Sequence, residues 1–269
     1  MWLYNILLFL LFNKGDGSYF NFLTRGIYNS RDIKMNTRYN NYENFNSEQN
    51  KNTYSLFPIQ SGSLRTWSYK SPDVERVKVN LKSDGRPVDA SVELWNGPNN
   101  TPSKMRVYLE DGNKYNFNSI IETPKAPNTI AIKNTGEMEF PISANIHSTN
   151  IELPTNDCYQ TLTHIQSGAI KTFPFDPRVE SIKILLNTDG RPLNSRIELL
   201  QGPNNNKQVI EIYNEDGYQR PFYCILETPG SGNVVRVINT SPVEFPMLAS
   251  VIAHSFVQNV DYSATIRNY

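Results

Sequence analysis

Histidine and cysteine are scarce in this chain. Its 269 residues include three histidines and two cysteines, Cys158 and Cys224, and neither cysteine sits in a C-x-x-C spacing. That excludes a disulfide framework and a Cys/His zinc site, and a reducing compartment is the simpler setting. Net charge is missing as well, since 26 basic residues balance 26 acidic ones. Nothing here recruits nucleic acid or an anionic membrane by bulk attraction. There is no nucleophile elbow, no metal-binding H-E-x-x-H and no phosphate-cradling G-x-x-x-x-G-K. A helical chain is excluded too, because no stretch of about eleven residues keeps the 3.6-residue period without a glycine or proline. The apolar run MWLYNILLFLLF at residues 1–12 falls short of the about 20 residues that span a bilayer. It reads either as the apolar part of a secretion signal, without the usual basic residue before it, or as an over-long gene model with translation starting at Met35. Residues 1–34 are accordingly a leader or an extension.

Residues 36–53, NTRYNNYENFNSEQNKNT, are dense in asparagine and nearly devoid of aliphatic side chains. Such a segment buries too little apolar surface to offset its conformational entropy, so positions 35–54 are expected to form a disordered arm. Two N-x-S/T triplets, at Asn99 and Asn239, would be usable in a secreted protein and also arise by chance.

Beyond the arm the chain repeats itself. IQSGSLRTW (59–67) returns as IQSGAIKTF (165–173), and SDGRPVDASVELWNGPNN (83–100) returns as TDGRPLNSRIELLQGPNN (188–205). YLEDG, IIETP and MEFPISA return as YNEDG, ILETP and VEFPMLA, in the same order and about 105 residues on. Residues 55–150 and 161–256 are therefore two copies of one unit, joined by a linker at 151–160 and followed by a tail at 257–269. The blocks kept in both copies are mostly turns. Asp84-Gly85 and Asp189-Gly190 are hairpin signals, because glycine supplies the positive φ of primed turns. Between turns the segments alternate apolar and polar residues, as in Val77, Val79, Leu81 and in Met105, Val107. About seven short strands per copy follow, and with them an all-β fold of two tandem antiparallel, jelly-roll-like β-sandwiches related by a pseudo-twofold axis.

Candidate chemistry is sparse. His147 and His164 flank the linker and could meet there, while His254 lies at the end of the second copy. The repeated acids, among them Asp84, Glu110, Asp111, Glu122 and Glu139 with their partners 105 residues on, read as calcium ligands or as turn formers and solvated charges. The second reading is preferred, so no catalytic set, metal or cofactor is assigned. Arg86 and Arg191 are kept although turn chemistry does not require arginine, and so are Glu93 and Glu198, seven residues on. A cross-strand Arg–Glu pair explains them, or else each arginine presents its fork to an acidic partner or a lipid head group. Trp67, Tyr69, Trp95, Tyr108 and Tyr115 read as packing residues, except that an outward Trp95, replaced by Leu200 in the second copy, would be an aromatic anchor. Cys158, in the linker, is a candidate for acylation at a membrane.

The pattern DGRPxxxxxELxxGPNN, EDG, ETPxxxN and EFP resembles a duplicated β-domain family of alveolates and related algae. Within it lie the photosensitized-INA-labelled proteins of the apicomplexan inner membrane complex, and the asparagine-rich arm suits a malaria-parasite (Plasmodium) genome. The resemblance implies a non-enzymatic scaffold of the parasite pellicle, on its cytoplasmic side and peripheral to the membrane. Its partners would be other inner-membrane-complex and cytoskeletal proteins, bound at the turn-rich ends or sheet edges, with no nucleic acid. If residues 1–12 are a true signal, secretion replaces that location. The alternative function is a module that binds carbohydrate or lipid head groups, favoured by a sheet face lined with exposed Trp or Tyr.

Overall fold

The computed structural model describes residues 55–136, 140–242 and 244–257. The apolar leader, the asparagine-rich arm, most of the C-terminal tail and Glu139 lie outside the described residues. The expected antiparallel β architecture is present. In the first repeat the strands are β1 (Phe57–Ile59), β2 (Leu64–Tyr69), β3 (Arg76–Lys82), β4 (Val88–Trp95), β5 (Ser103–Leu109), β6 (Phe117–Glu122), β7 (Asn128–Asn134) and β8 (Ile142–His147). The second repeat follows a short helix α1 (Asn156–Gln160). Its strands are β9 (Thr163–Ile165), β10 (Ile170–Pro174), β11 (Val179–Asn187), β12 (Leu193–Gln201), β13 (Asn206–Asn214), β14 (Phe222–Glu227), β15 (Asn233–Asn239) and β16 (Met247–Phe256). The strand added to the seven expected per copy is the three-residue β1, too short and too proline-marked to show in alternation.

The tandem β-sandwich repeats are fused side by side. They lie in one compact unit and share two continuous eight-stranded sheets. The first sheet runs β1-β8-β3-β6-β14-β11-β16-β9, and the second β10-β15-β12-β13-β5-β4-β7-β2. The seams are antiparallel pairs between copies, β6 with β14 and β5 with β13. Ser119 faces Cys224 and Arg106 faces Glu211, so equivalent positions meet across each seam. A pseudo-twofold axis therefore passes through both pairs. Inward side chains from the two sheets form one core across both repeats. It includes Val77, Val79, Leu81, Val92 and Met105 from the first copy and Ile182, Ile184, Leu186, Ile197 and Ile210 from the second. Period-2 alternation dictates this, because one face of every strand must leave water.

Two of the repeated turn blocks have packing reasons. A Cβ on Gly112 would lie 2.6 Å from Val88 Cγ2 and 2.7 Å from the Ser83 nitrogen, and one on Gly217 would lie 3.0 Å from Leu193 Cβ. Only glycine lets the E-D-G turn approach the D-G-R-P hairpin. Asp111 and Asp216 brace the same turns, each accepting two backbone N–H bonds at 2.8–3.2 Å. Three of the four sheet edges are blunted, and the six-residue β2 is the longer exception. β1 and β9 have three residues each, β1 carries Pro58, and β10 carries Lys171 and ends at Pro174.

Candidate functional site

The two outer faces differ. On the first sheet the inter-repeat linker lies across the seam, and α1 packs on β11 and β16. Cys158, Leu185, Tyr223, Ile225 and Ile120 form a second apolar cluster beneath it, with Ile151, Leu162 and Ile252 at its margin. Glu152 ties the linker down through Lys183 Nζ at 2.9 Å, in an ion pair where the lysine is nearly buried. Burial pushes the Tyr223 hydroxyl far above its ordinary pKa, and it raises the Cys224 thiol likewise. The Cys158 thiol is fully buried here, so acylation of it would require the linker to lift.

The outer face of the second sheet has no such cover among the described residues. Alternation on β4, β5, β12 and β13 turns Glu93, Trp95, Lys104, Arg106, Tyr108, Arg196, Glu198, Glu211 and Tyr213 outward. Ion pairs cross this face: Lys104–Glu93 at 3.1 Å, Arg106–Asp89 at 3.3 Å, Arg196–Glu211 at 2.9 Å and Arg236–Glu198 at 2.7 Å. Lys207 reaches Glu110 at 2.6 Å across the seam between repeats. Two neighbouring clefts, of about 440 and 260 Å³, flank the Arg106/Glu211 axis. Tyr213 lines the larger cleft and Tyr108 the smaller.

The arginines kept in both copies do not pair with the kept glutamates. The Arg86 guanidinium lies 3.6 Å from the centre of the Phe140 ring, and Arg191 lies 4.6 Å from that of Phe245. The arginine of D-G-R-P is thus held by the phenylalanine of E-F-P, about 54 residues away, in a cation–π contact. Both motifs stand out in the sequence, but nothing local shows that they touch. Glu93 instead accepts the Trp95 Nε1–H bond at 2.9 Å and pairs with Lys104. Burial alone would raise its pKa, yet the bonds from Trp95 and Lys104 outweigh that and hold its carboxyl below the usual range. Glu198 is more deeply enclosed, between Arg196 at 2.8 Å and Arg236 at 2.7 Å. Trp95 does face outward, though half-buried and with its N–H committed to Glu93.

Other sequence expectations are corrected. Tyr108 is not a packing residue; it is 38% exposed, and the inward Met105 and Val107 imply an outward neighbour. His147 and His164 do not meet, because β8 and β9 are separated by six strand spacings in the first sheet, roughly 29 Å. Among the described residues no three of His, Cys, Asp and Glu converge as a metal site requires. The carboxylate of Glu122 is taken instead by Arg76, whose Nε–H is shared between the two carboxylate oxygens at 2.8 and 2.9 Å.

Fold and surface together define a β-sandwich that presents broad faces and mostly short edges. A family model described as diatom pyrenoid shell protein matches residues 49–253, and the chain belongs to that family. This overturns the resemblance to the photosensitized-INA-labelled proteins of apicomplexans. The repeated D-G-R-P, G-P-N-N and E-D-G blocks encode turns and close packing, so they mark the domain and not the lineage. The pellicle placement rested on that resemblance and has no support of its own. No curated protein matches the chain. Among solved structures, the crystal structure of PBSX exported protein XepA is similar over 74% of this chain and 85% of that one, with 9% identity and a TM-score of 0.24. At that level the likeness decides neither fold nor function.

Proposed function

We propose that the chain is a structural protein that builds the shell of a pyrenoid from many copies of itself, without catalysing a reaction. The observation that carries this is the family match over residues 49–253, which takes in both repeats. The molecule suits the role physically. A single core runs through both copies and two continuous sheets tie them by backbone hydrogen bonds, so the unit is stiff along its length. Balanced charge lets copies approach at high concentration without mutual repulsion.

Two measurements test this. Purified full-length chain imaged by electron microscopy is expected to form extended layers or closed shells. A fluorescently tagged copy in the native cell is expected to outline the pyrenoid. A diffuse signal together with purely monomeric protein would sink the proposal. The alternative, a module for carbohydrate or lipid head groups, retains one favourable observation: Trp95, Tyr108 and Tyr213 share the outer face of the second sheet. Binding of a neutral oligosaccharide by a chain that never assembles would favour it.

A further inference from the structure

The outer face of the second sheet carries exposed apolar side chains that both repeats have kept. Leu64 on β2 and Ile170 on β10 occupy matching places and are 52% and 58% exposed. Tyr108 on β5 and Tyr213 on β13 also match, at 38% and 41%. Duplicated copies drift independently, and at many outward positions these two have diverged completely. Apolar exposure maintained twice at two sites therefore points to a contact. The first sheet shows what the protein does with outward apolar residues that have a cover: it buries them under the linker.

We propose that two copies of the chain meet here, second sheet against second sheet. This rests on the shell reading and names the surface through which copies join. Three observations select a second copy as the occupant. Four cations of the face, Lys104, Arg106, Arg196 and Arg236, are paired with anions of the same face, and only exposed Lys133 on β7 is in none of these pairs, so an identical face meets little net field. The area is sufficient: the seven spacings of about 4.8 Å between eight strands and about seven residues at about 3.4 Å give roughly 800 Å² per copy, the size of a standard specific interface. The clefts beside Tyr108 and Tyr213 supply recesses for the opposing rings, and buried tyrosines are typical anchors of such contacts. Three of the four edges compete poorly, since short strands and proline disfavour strand addition, while β2, with six residues and no proline, is the one longer edge. A face-to-face contact of this kind is isologous and closes at two copies, so it makes a paired building block, and growth into a layer uses other surfaces.

The test is sedimentation velocity of the full-length chain across concentration, with electron microscopy of the same samples. Wild type is expected to show a dimer as its smallest associated species. Tyr108→Glu with Tyr213→Glu is expected to remain monomeric, and the milder Tyr108→Ser with Tyr213→Ser to weaken dimerisation at least tenfold. Circular dichroism should stay at wild-type values for both, and so should the melting temperature at concentrations where wild type is monomeric, because these rings face solvent in the single chain. Variants that dimerise like wild type overturn the proposal, as does wild type that stays monomeric or that binds cellohexaose on this face instead. Layers that form undiminished from the variants overturn the face but leave the shell reading standing. Dimers lost in the variants, from a wild type that never forms layers, support the face and sink the shell.

Discussion

The two halves of the first sheet hold equivalent inward residues but differ at several outward ones. Inward, Val77, Val79 and Leu81 correspond to Ile182, Ile184 and Leu186. Outward, Asn80 corresponds to Leu185, Asn118 to Tyr223 and His147 to Ile252. Both halves are built on the same backbone, so the fold does not account for the difference. The linker does: from the seam, where Ile120 is buried, it covers the second half, where Leu185, Tyr223 and Ile225 are buried. A sheet face in this protein is polar or apolar according to what lies over it. Inward positions answer to the core and outward positions to the cover.

Exchanging outward residues between the halves should therefore be asymmetric. Leu185→Asn places an amide under the linker where the first repeat tolerates one, and is expected to cost about 3 kcal/mol. The reciprocal Asn80→Leu should change stability by less than about 0.5 kcal/mol. Urea unfolding of both variants measures the contrast, and equal costs would break it. Glu93 and Glu198 sharpen it at a second site. Glu198 is 8% exposed between two arginines, whereas Glu93 is 24% exposed beside an exposed lysine. Glu198→Gln is expected to cost about 2 kcal/mol and Glu93→Gln less than about 1 kcal/mol.

A smaller contrast separates the two arginine stacks. Arg86→Ala is expected to lose about 1 kcal/mol, and Arg191→Ala, whose stack is longer by an ångström, about half of that. Thermal melts of the single variants order them, and a larger loss at Arg191 would contradict the assignment. The smallest effect belongs to Glu227. Burial raises the pKa of its repeat-1 counterpart Glu122 as well, but Glu122 has Arg76 to oppose that, whereas position 181 is a serine and repulsion from Glu180 adds to the burial of Glu227. A folded-state pKa above the unfolded value stabilises the protein when protonated. That contribution is complete below the unfolded value, about 4.3, and is lost as pH rises through the folded value. Glu227→Gln should thus stabilise the chain at pH 7 by a few tenths of a kcal/mol, screening by solvent keeping the gain small. The gain should vanish at pH 4, which paired melts at the two pH values would show.

Most of the β architecture is legible in the amino-acid sequence. Repeated turn blocks and alternating apolar residues specify short antiparallel strands, because each signal acts over a few neighbouring residues. Even the outward aim of Tyr108 follows from Met105 and Val107. The site is less legible. Arg86 touches Phe140, and Lys207 touches Glu110 from the other repeat, and neither pairing leaves a trace in local sequence. The linker helix leaves no periodic signal either, because its five residues gain their stability from packing on β11 and β16 and not from helical periodicity.

Duplication, all-β class and turn positions are thus properties of the chain's own residues, since propensity, glycine conformation and two-residue periodicity are local. The joining of the copies into one sandwich belongs to the tertiary structure alone. The seams at β6–β14 and β5–β13 are made by backbone hydrogen bonds, which any strand can offer. Choosing those partners over others depends on burying one common core. That same choice leaves the second sheet bare on its outer side, and a bare face with paired charges and repeated tyrosines becomes visible only once both copies lie side by side.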